Sequence, residues 1–206
     1  EYTYDANNNQ ILYSNYTWNL ASSAWISNYK YEYTYNANNN VILSISYNWD
    51  ISSSSWIENN KREATYDANN NITLNVFFTW DLASSAWLEV EKQESTYDAN
   101  NNQILSSSYT WDLASSAWLE NNKIEATYDA NNNVTLNAFF TWDLASSAWV
   151  GTYKYEYTYD ANNNQILNSN YTWNLASSAW LEVEKQESTY DANGNKTLDV
   201  IFNWDL

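Results

Sequence analysis

Carboxylates are the only acid–base groups this chain carries in number: 25 Asp and Glu stand against 8 Lys and Arg, with no His and no Cys. Nucleophile–base pairs of the Ser–His or Cys–His kind therefore have no base to use. Paired carboxylates can do acid–base work on a bond held between them. Here the carboxylates return at a fixed interval along the chain, so no pair marks a single cleft. The acidic loops also suggest a cation. Asp98-Ala99-Asn100-Asn101-Asn102 sets oxygen side chains on alternate positions, the ligand type that Ca2+ takes. An EF-hand loop needs Gly at its sixth place and a bidentate Glu at its twelfth. Counted from Asp98, the twelfth place holds Tyr109. A tight turn accounts for the motif without a metal. The expectation is no catalytic residue, no metal ligand and no cofactor, with Ca2+ as the one cation to test.

The fixed interval is 31 residues. Tyr4, Tyr35, Tyr66, Tyr97, Tyr128, Tyr159 and Tyr190 keep it, as do Trp18, Trp49, Trp80, Trp111, Trp142, Trp173 and Trp204, and the series from Trp25 to Trp180. No insertion or deletion interrupts it. The chain reads as one repeat array over 1–206, six full units and a partial unit of 20 residues. Such arrays stack one supersecondary unit on the next.

Each unit has the pattern of a β-hairpin. Tyr29, Tyr31, Tyr33 and Tyr35 alternate with Asn28, Lys30, Glu32 and Thr34; Val41, Leu43, Ile45, Tyr47 and Trp49 alternate with Ile42, Ser44, Ser46 and Asn48. Period two means strands. Between them lies Asn36-Ala37-Asn38-Asn39-Asn40, which most other units write as Asp-Ala-Asn-Asn-Asn. In the last unit Gly194 falls in the column of Asn8, Asn39, Asn70, Asn101, Asn132 and Asn163. Gly and Asn share a tolerance for left-handed backbone. That column predicts positive φ, within a type I turn followed by a one-residue bulge. The turn then sets Tyr35 opposite Val41, Tyr33 opposite Leu43, Tyr31 opposite Ile45 and Tyr29 opposite Tyr47. All four pairs fall on one aromatic face. A second turn, Trp18-Asn19-Leu20-Ala21-Ser22-Ser23-Ala24-Trp25, joins each hairpin to the next, its Asp or Asn capping a helical turn. The predicted fold is all-β: an antiparallel up-and-down meander of about fourteen strands, curled or superhelical.

The opposite face is expected to be solvated. It carries a Lys-x-Glu step in every complete first strand: Lys30 and Glu32, Lys61 and Glu63, Lys92 and Glu94, Lys123 and Glu125, Lys154 and Glu156, Lys185 and Glu187. Glu89, Glu91 and Gln93 fall on the aromatic side between Trp87 and Tyr97, which counts against lipid-facing strands. Exposed charges of this kind discourage sheet-to-sheet aggregation.

Net charge is −17. Nucleic acid and anionic lipid both require Lys and Arg, so neither is an expected partner, and no apolar run approaches the length of a membrane helix. The chain shows no signal peptide and no initiator Met, as expected of a piece of a longer protein. Sequons at Asn15, Asn71, Asn133, Asn170 and Asn195 arise by chance in so Asn-rich a chain. The Thr column from Thr3 to Thr189 gives one hydroxyl per unit beside Lys and Glu, too sparse for an ice-binding array.

The recurring Thr-Tyr-Asp-Ala-Asn-(Asn/Gly)-Asn, with Trp-Asp some fourteen residues after the Tyr, resembles the tyrosine–aspartate repeats of bacterial secreted and surface proteins. Tyr190-Asp191-Ala192-Asn193-Gly194-Asn195 is the cleanest match to the YDANGN…WD…W arrays of secreted Bacteroidetes proteins, and the resemblance runs along the whole chain. The broader RHS family winds such hairpins into shells around cargo. This chain departs from it by a longer repeat, by Asn in place of most glycines and by the absence of any cargo segment. The resemblance implies hairpin repeats and an extracellular or cell-surface, secreted location, not a toxin shell. Together these readings predict a non-catalytic structural module. It would self-associate through sheet edges at residues 1–5 and 195–206 and through aromatic packing, into a filament, stalk or surface layer. The alternative is a multivalent adhesin or glycan-binding array, in which exposed Trp and Tyr stack on sugar rings and repeats supply avidity.

Overall fold

The computed structural model describes residues 1–204. It contains fourteen strands: β1 (Tyr2–Tyr4), β2 (Gln10–Asn19), β3 (Ala24–Tyr35), β4 (Val41–Asp50), β5 (Ser55–Tyr66), β6 (Ile72–Asp81), β7 (Ala86–Tyr97), β8 (Gln103–Asp112), β9 (Ala117–Tyr128), β10 (Val134–Asp143), β11 (Ala148–Tyr159), β12 (Gln165–Asn174), β13 (Ala179–Tyr190) and β14 (Lys196–Asn203). They form one antiparallel sheet in sequence order from β1 to β14, an up-and-down meander that does not close into a barrel. The expected fold class and strand number are met. The chain divides into two compact units, Glu1–Gln93 with Thr110–Trp118, and Glu94–Tyr109 with Leu119–Leu206.

The Asp turn forms as its residues dictate. In the first unit the Asp5 amide donates to Asn9 O at 2.9 Å and the Asn8 amide to Asp5 O at 3.2 Å. The Asp5 carboxylate accepts from the Asn7 and Asn9 amides at 2.9 and 2.8 Å. Asn8 sits at φ 64°, and its column runs from 63° at Asn39 to 79° at Gly194. The predicted positive φ is present in every unit.

The register differs from the expected one. Tyr35 stands opposite Val41, but Thr34 stands opposite Leu43, Tyr33 opposite Ser44, Glu32 opposite Ile45 and Lys30 opposite Tyr47. Ile42 is thus an extra residue, a bulge directly after the turn. The same shift recurs in β1–β2, β5–β6, β9–β10, β11–β12 and β13–β14. A second bulge lies near the Trp turn in β3, β5, β11 and β13. Tyr16 faces Ser27 while Asn15 faces Tyr29, which leaves Asn28 unpaired. Asn59, Thr152 and Val183 take the same place.

The two bulges re-sort the faces, because a one-residue slip turns every following side chain over. One face carries the Trp pairs, the Lys-x-Glu steps and the apolar second-strand column of Leu43, Ile45 and Tyr47. The other carries Tyr29, Tyr31 and Tyr33 with Ser44 and Ser46. The expected split between one aromatic face and one charged face is corrected: each face is mixed. The expected run of Glu beneath Trp is corrected as well. In β13, whose sequence repeats that of β7, Glu182 lies on the Trp face, while Glu184, past the Val183 bulge, lies on the other.

Among the described residues of each unit, no second layer covers a sheet face. Among the described residues the buried apolar side chains are Ala64 and Ala138, and no large side chain is fully buried. A domain ordinarily packs two layers around a core. Here stability comes from strand ladders and cross-strand pairs, summed over neighbours along the array.

Candidate functional site

The surface richest in chemistry is the Trp face, and its unit recurs. At the hairpin tip two Trp rings face each other across the strands, Trp18 with Trp25, Trp49 with Trp56, and so on to Trp173 with Trp180. The rings meet edge-to-face at 5.0–5.4 Å and 70–80°, the geometry that their quadrupoles favour. Behind the first five pairs a lysine lies over the next ring. Lys30 Nζ is 4.1 Å from the Tyr47 centroid and 5.5 Å from Trp56, and Lys61 Nζ is 3.8 Å from Phe78 and 5.5 Å from Trp87. Lys123 and Lys154 repeat the arrangement over Phe140 with Trp149 and over Tyr171 with Trp180.

The Glu of the same step closes the box. Lys61 Nζ reaches Glu63 at 2.7 Å and Lys154 reaches Glu156 at 2.6 Å. Tyr47 and Tyr171 donate their hydroxyls to Glu32 and Glu156 at 3.0 and 2.9 Å. Burial, then the bond to Glu32, pushes the Tyr47 hydroxyl up to about 12. Burial and Glu156 do the same to Tyr171. Burial works against the Glu156 carboxylate, but the bonds from Lys154 and Tyr171 outweigh it and hold its pKa below the usual range. The Lys side chains of five of these pairs are only 14–32% exposed, so these steps are half-buried clamps between hairpins. A desolvated cation on an aromatic face contributes about 0.5–2 kcal/mol, more than a solvated ion pair does.

The turns are the second recurring site. In the Asp turn both carboxylate oxygens are engaged: Asp67 Oδ1 accepts the Asn69 and Asn71 amides at 2.9 Å, and Oδ2 accepts Asn71 Nδ2 at 3.0 Å. Those bonds, the Asn71 side chain first, hold the Asp67 carboxyl below its usual range. Asp98 is bound in the same way by Asn102 and Asn100. A cation at these loops would displace donors the turn already uses, and among the described residues no cluster of three acidic groups could hold one.

Sequence reasoning missed what lies between turns. The third Asn of one turn donates to the positive-φ Asn of the next: Asn9 to Asn39 at 2.8 Å, Asn40 to Asn70 at 2.7 Å, Asn102 to Asn132 at 2.8 Å and Asn133 to Asn163 at 2.9 Å. This ladder explains Asn where Gly would suit the backbone as well. The repeat Tyr adds a second tie. Its hydroxyl donates to a main-chain carbonyl 25 residues back: Tyr35 to Gln10 O at 2.8 Å, Tyr66 to Val41 O at 2.9 Å, Tyr190 to Gln165 O at 3.1 Å.

The Trp turn holds the third feature. Asp50 accepts hydroxyls and amides from Ser52 and Ser53, which pull its carboxyl down to about 2, the Ser53 hydroxyl first. The turn it caps ends in a serine at positive φ, 50–53° at Ser23, Ser54, Ser85, Ser116, Ser147 and Ser178. Within the cap each turn presents one large apolar side chain outward. Leu20, Ile51, Leu82 and Leu113 in the first unit and Leu144 and Leu175 in the second are 66–86% exposed. An apolar residue inside a polar turn was the available signal for this row.

No family model matches the chain, and no curated protein does. Solved structures with a loose likeness include a protein of unknown function from Bacteroides fragilis (18% identity, TM-score 0.45, covering 61% of this chain and 89% of that one). A DUF3836 family protein from Parabacteroides distasonis shows 15% identity and a TM-score of 0.37, covering 62% of this chain and 91% of that one. The Photorhabdus luminescens Tc holotoxin pore shows 15% identity and a TM-score of 0.38, covering 85% of this chain and 9% of that one. At these scores the likenesses carry no argument; the fold stands on strand order and register.

Proposed function

We propose that this chain is a non-catalytic structural module of an extracellular bacterial protein, and that it self-associates into a filament, stalk or surface layer. The observation that carries the reading is the row of Leu and Ile at the Trp turns. The fold makes no use of these side chains, yet every complete unit has one. Burying one such side chain contributes about 1.5–3 kcal/mol, so the four repeats of the first compact unit together contribute on the order of 8 kcal/mol. Association costs about 4–15 kcal/mol, so the row alone is marginal. Main-chain pairing between sheet edges of successive copies would supply the rest, with the exposed Leu198, Ile201 and Phe202 of β14 adding apolar contact. The secreted setting rests on the resemblance to tyrosine–aspartate repeats. The absence of His and Cys and the engagement of the turn carboxylates support a module without catalysis.

Negative-stain electron microscopy of the purified chain, with Ca2+ and with chelator, tests this. Regular fibres or sheets are expected in both, more abundant at high salt because screening relieves the repulsion of net charge −17. Replacing Leu82 and Leu113 by Ser should thin them out. Monodisperse particles under all conditions would overturn self-assembly and leave the multivalent glycan-binding array as the reading to pursue.

A further inference from the structure

We propose that the Tyr face carries one ligand site, a trough around Arg62 that takes the carboxylate-bearing sugar of an acidic oligosaccharide. Arg62 is the only arginine in the chain. Its column elsewhere holds Tyr31, Gln93, Ile124, Tyr155 and Gln186, so the repeat pattern does not require it. Its Nε donates to Asn75 Oδ1 at 2.9 Å, which fixes the guanidinium plane. Among the described residues it makes no ion pair and lies over no ring, and its terminal nitrogens take no protein acceptor. A fixed guanidinium with free donors is the geometry for a bidentate carboxylate.

The surroundings set the shape. Tyr31 faces Ser46, Ser46 faces Asn60, Ser44 faces Arg62, and Arg62 faces Phe77 across successive strands. The floor is therefore two serines on β4, with Tyr31 standing on β3 and Asn60 and Arg62 on β5. At the usual strand spacing the two walls rise from backbones about 10 Å apart. The cavity measures about 600 Å3 and includes all six residues. The Tyr31 wall is held ready: its ring stacks on Tyr33 at 14° and meets Tyr29 edge-on at 5.8 Å. A flat aromatic wall suits the apolar face of a pyranose. Serine hydroxyls and the Asn60 amide suit its hydroxyls.

A uronate fits these walls better than other anions do. No lining residue is acidic, so the ammonium of a free amino acid would go unpaired. A polyphosphate would meet the repulsion of net charge −17. A single carboxylate on a neutral ring meets the least repulsion while using the fork. The inference goes beyond the structural reading above and does not depend on self-assembly.

The probe is a galactose trisaccharide whose terminal sugar alone is a galacturonate, titrated at pH 7 into the isotope-labelled full chain and followed by amide and arginine Nε shifts. Saturable shifts confined to Tyr31, Ser44, Ser46, Asn60, Arg62 and Phe77 are expected, in the millimolar range that a shallow site allows. Arg62→Gln should weaken binding roughly tenfold or more with the strand signals unchanged. Phe77→Leu, which keeps the guanidinium, should weaken it by a smaller factor. Uncharged tri-galactose should bind as poorly as the mono-galacturonate trisaccharide does to Arg62→Gln. An absence of saturable shifts, unchanged binding in Arg62→Gln, or equal binding of acetylglycine would each overturn the assignment, the last by showing that the sugar is not recognised.

Discussion

Tyr66→Phe isolates the tie between adjacent hairpins. Tyr66 lies at the end of β5, and its hydroxyl reaches Val41 O at the start of β4 at 2.9 Å, in a half-buried setting. Phe keeps the ring and removes only the donor. A net hydrogen bond contributes about 0.5–1.5 kcal/mol. The Val41 carbonyl, left partly open, can recover a water, which places the loss near the middle at about 1 kcal/mol. With a urea slope of about 2–3 kcal/mol/M for a chain of this size, the midpoint should fall by about 0.3–0.5 M at unchanged slope. The array contains its own control. Tyr4 belongs to the same column, but it is 55% exposed and makes no such bond. Tyr4→Phe should leave the midpoint where it is. An unmoved midpoint in Tyr66→Phe, or an equal fall in Tyr4→Phe, would refute the claim that this hydroxyl couples repeats.

Acid should unfold the array through its turns. Asn71 and its equivalents hold Asp5, Asp67, Asp98, Asp129, Asp160 and Asp191 below their usual range, and the Ser53 and Ser52 hydroxyls hold Asp50 at about 2. A lowered folded pKa adds stability that is present above the unfolded value of about 3.9 and lost as pH falls toward 2; thermal midpoints should be flat from pH 7 to 5 and drop below 4. Tyr47 and Tyr171, raised to about 12, act in the opposite sense, with stability held below pH 10 and lost as pH rises through 12. Ser116 at φ 53° sits where a left-handed backbone costs roughly 1–2 kcal/mol. Ser116→Asn should raise the urea midpoint slightly, and Ser116→Val should lower it. A Cβ on Gly151 would come within 2.6 Å of the Trp173 and Trp180 rings. Gly151→Ala should therefore displace the Trp173–Trp180 pair and swing Trp180 away from Phe140, changing near-UV dichroism. Stability should move by less than about 1 kcal/mol, because the lost ring contact is offset by the strand preference of Ala over Gly.

The repeat, the strand number and the Asp turn were legible because each rests on local chemistry. Period two marks strands, and the Asn/Gly column marks positive φ. The faces were not legible, because face assignment is cumulative along a strand. One unpaired residue at Ile42 and another at Asn28 invert everything between them. Signals for both existed. Asn28 and Asn59 are poor strand formers in the middle of a strand. Lysine is more useful over a ring than beside a serine, and the bulged register is the one that brings Lys30 opposite Tyr47 and over the Tyr47 and Trp56 rings. The positive-φ serines carried no signal, since Ser, unlike Asn or Gly, does not advertise left-handed backbone. The trough at Arg62 depends on side chains from four strands, which strict alternation would have distributed differently.

The account rests on the bulged register, which puts the Lys–Glu clamps beneath the indoles and the serine floor beneath Tyr31. The chain has no cysteine, so paired cysteines read register directly. In the structure Ala126 stands opposite Asn137, and Leu136 stands opposite Thr127. Unbulged alternation would set Ala126 opposite Leu136. Under mild oxidation Ala126→Cys with Asn137→Cys should close into a disulfide, and Ala126→Cys with Leu136→Cys should remain reduced, since its side chains point to opposite faces. The reverse outcome would restore a single aromatic face and contradict both the clamps and the trough.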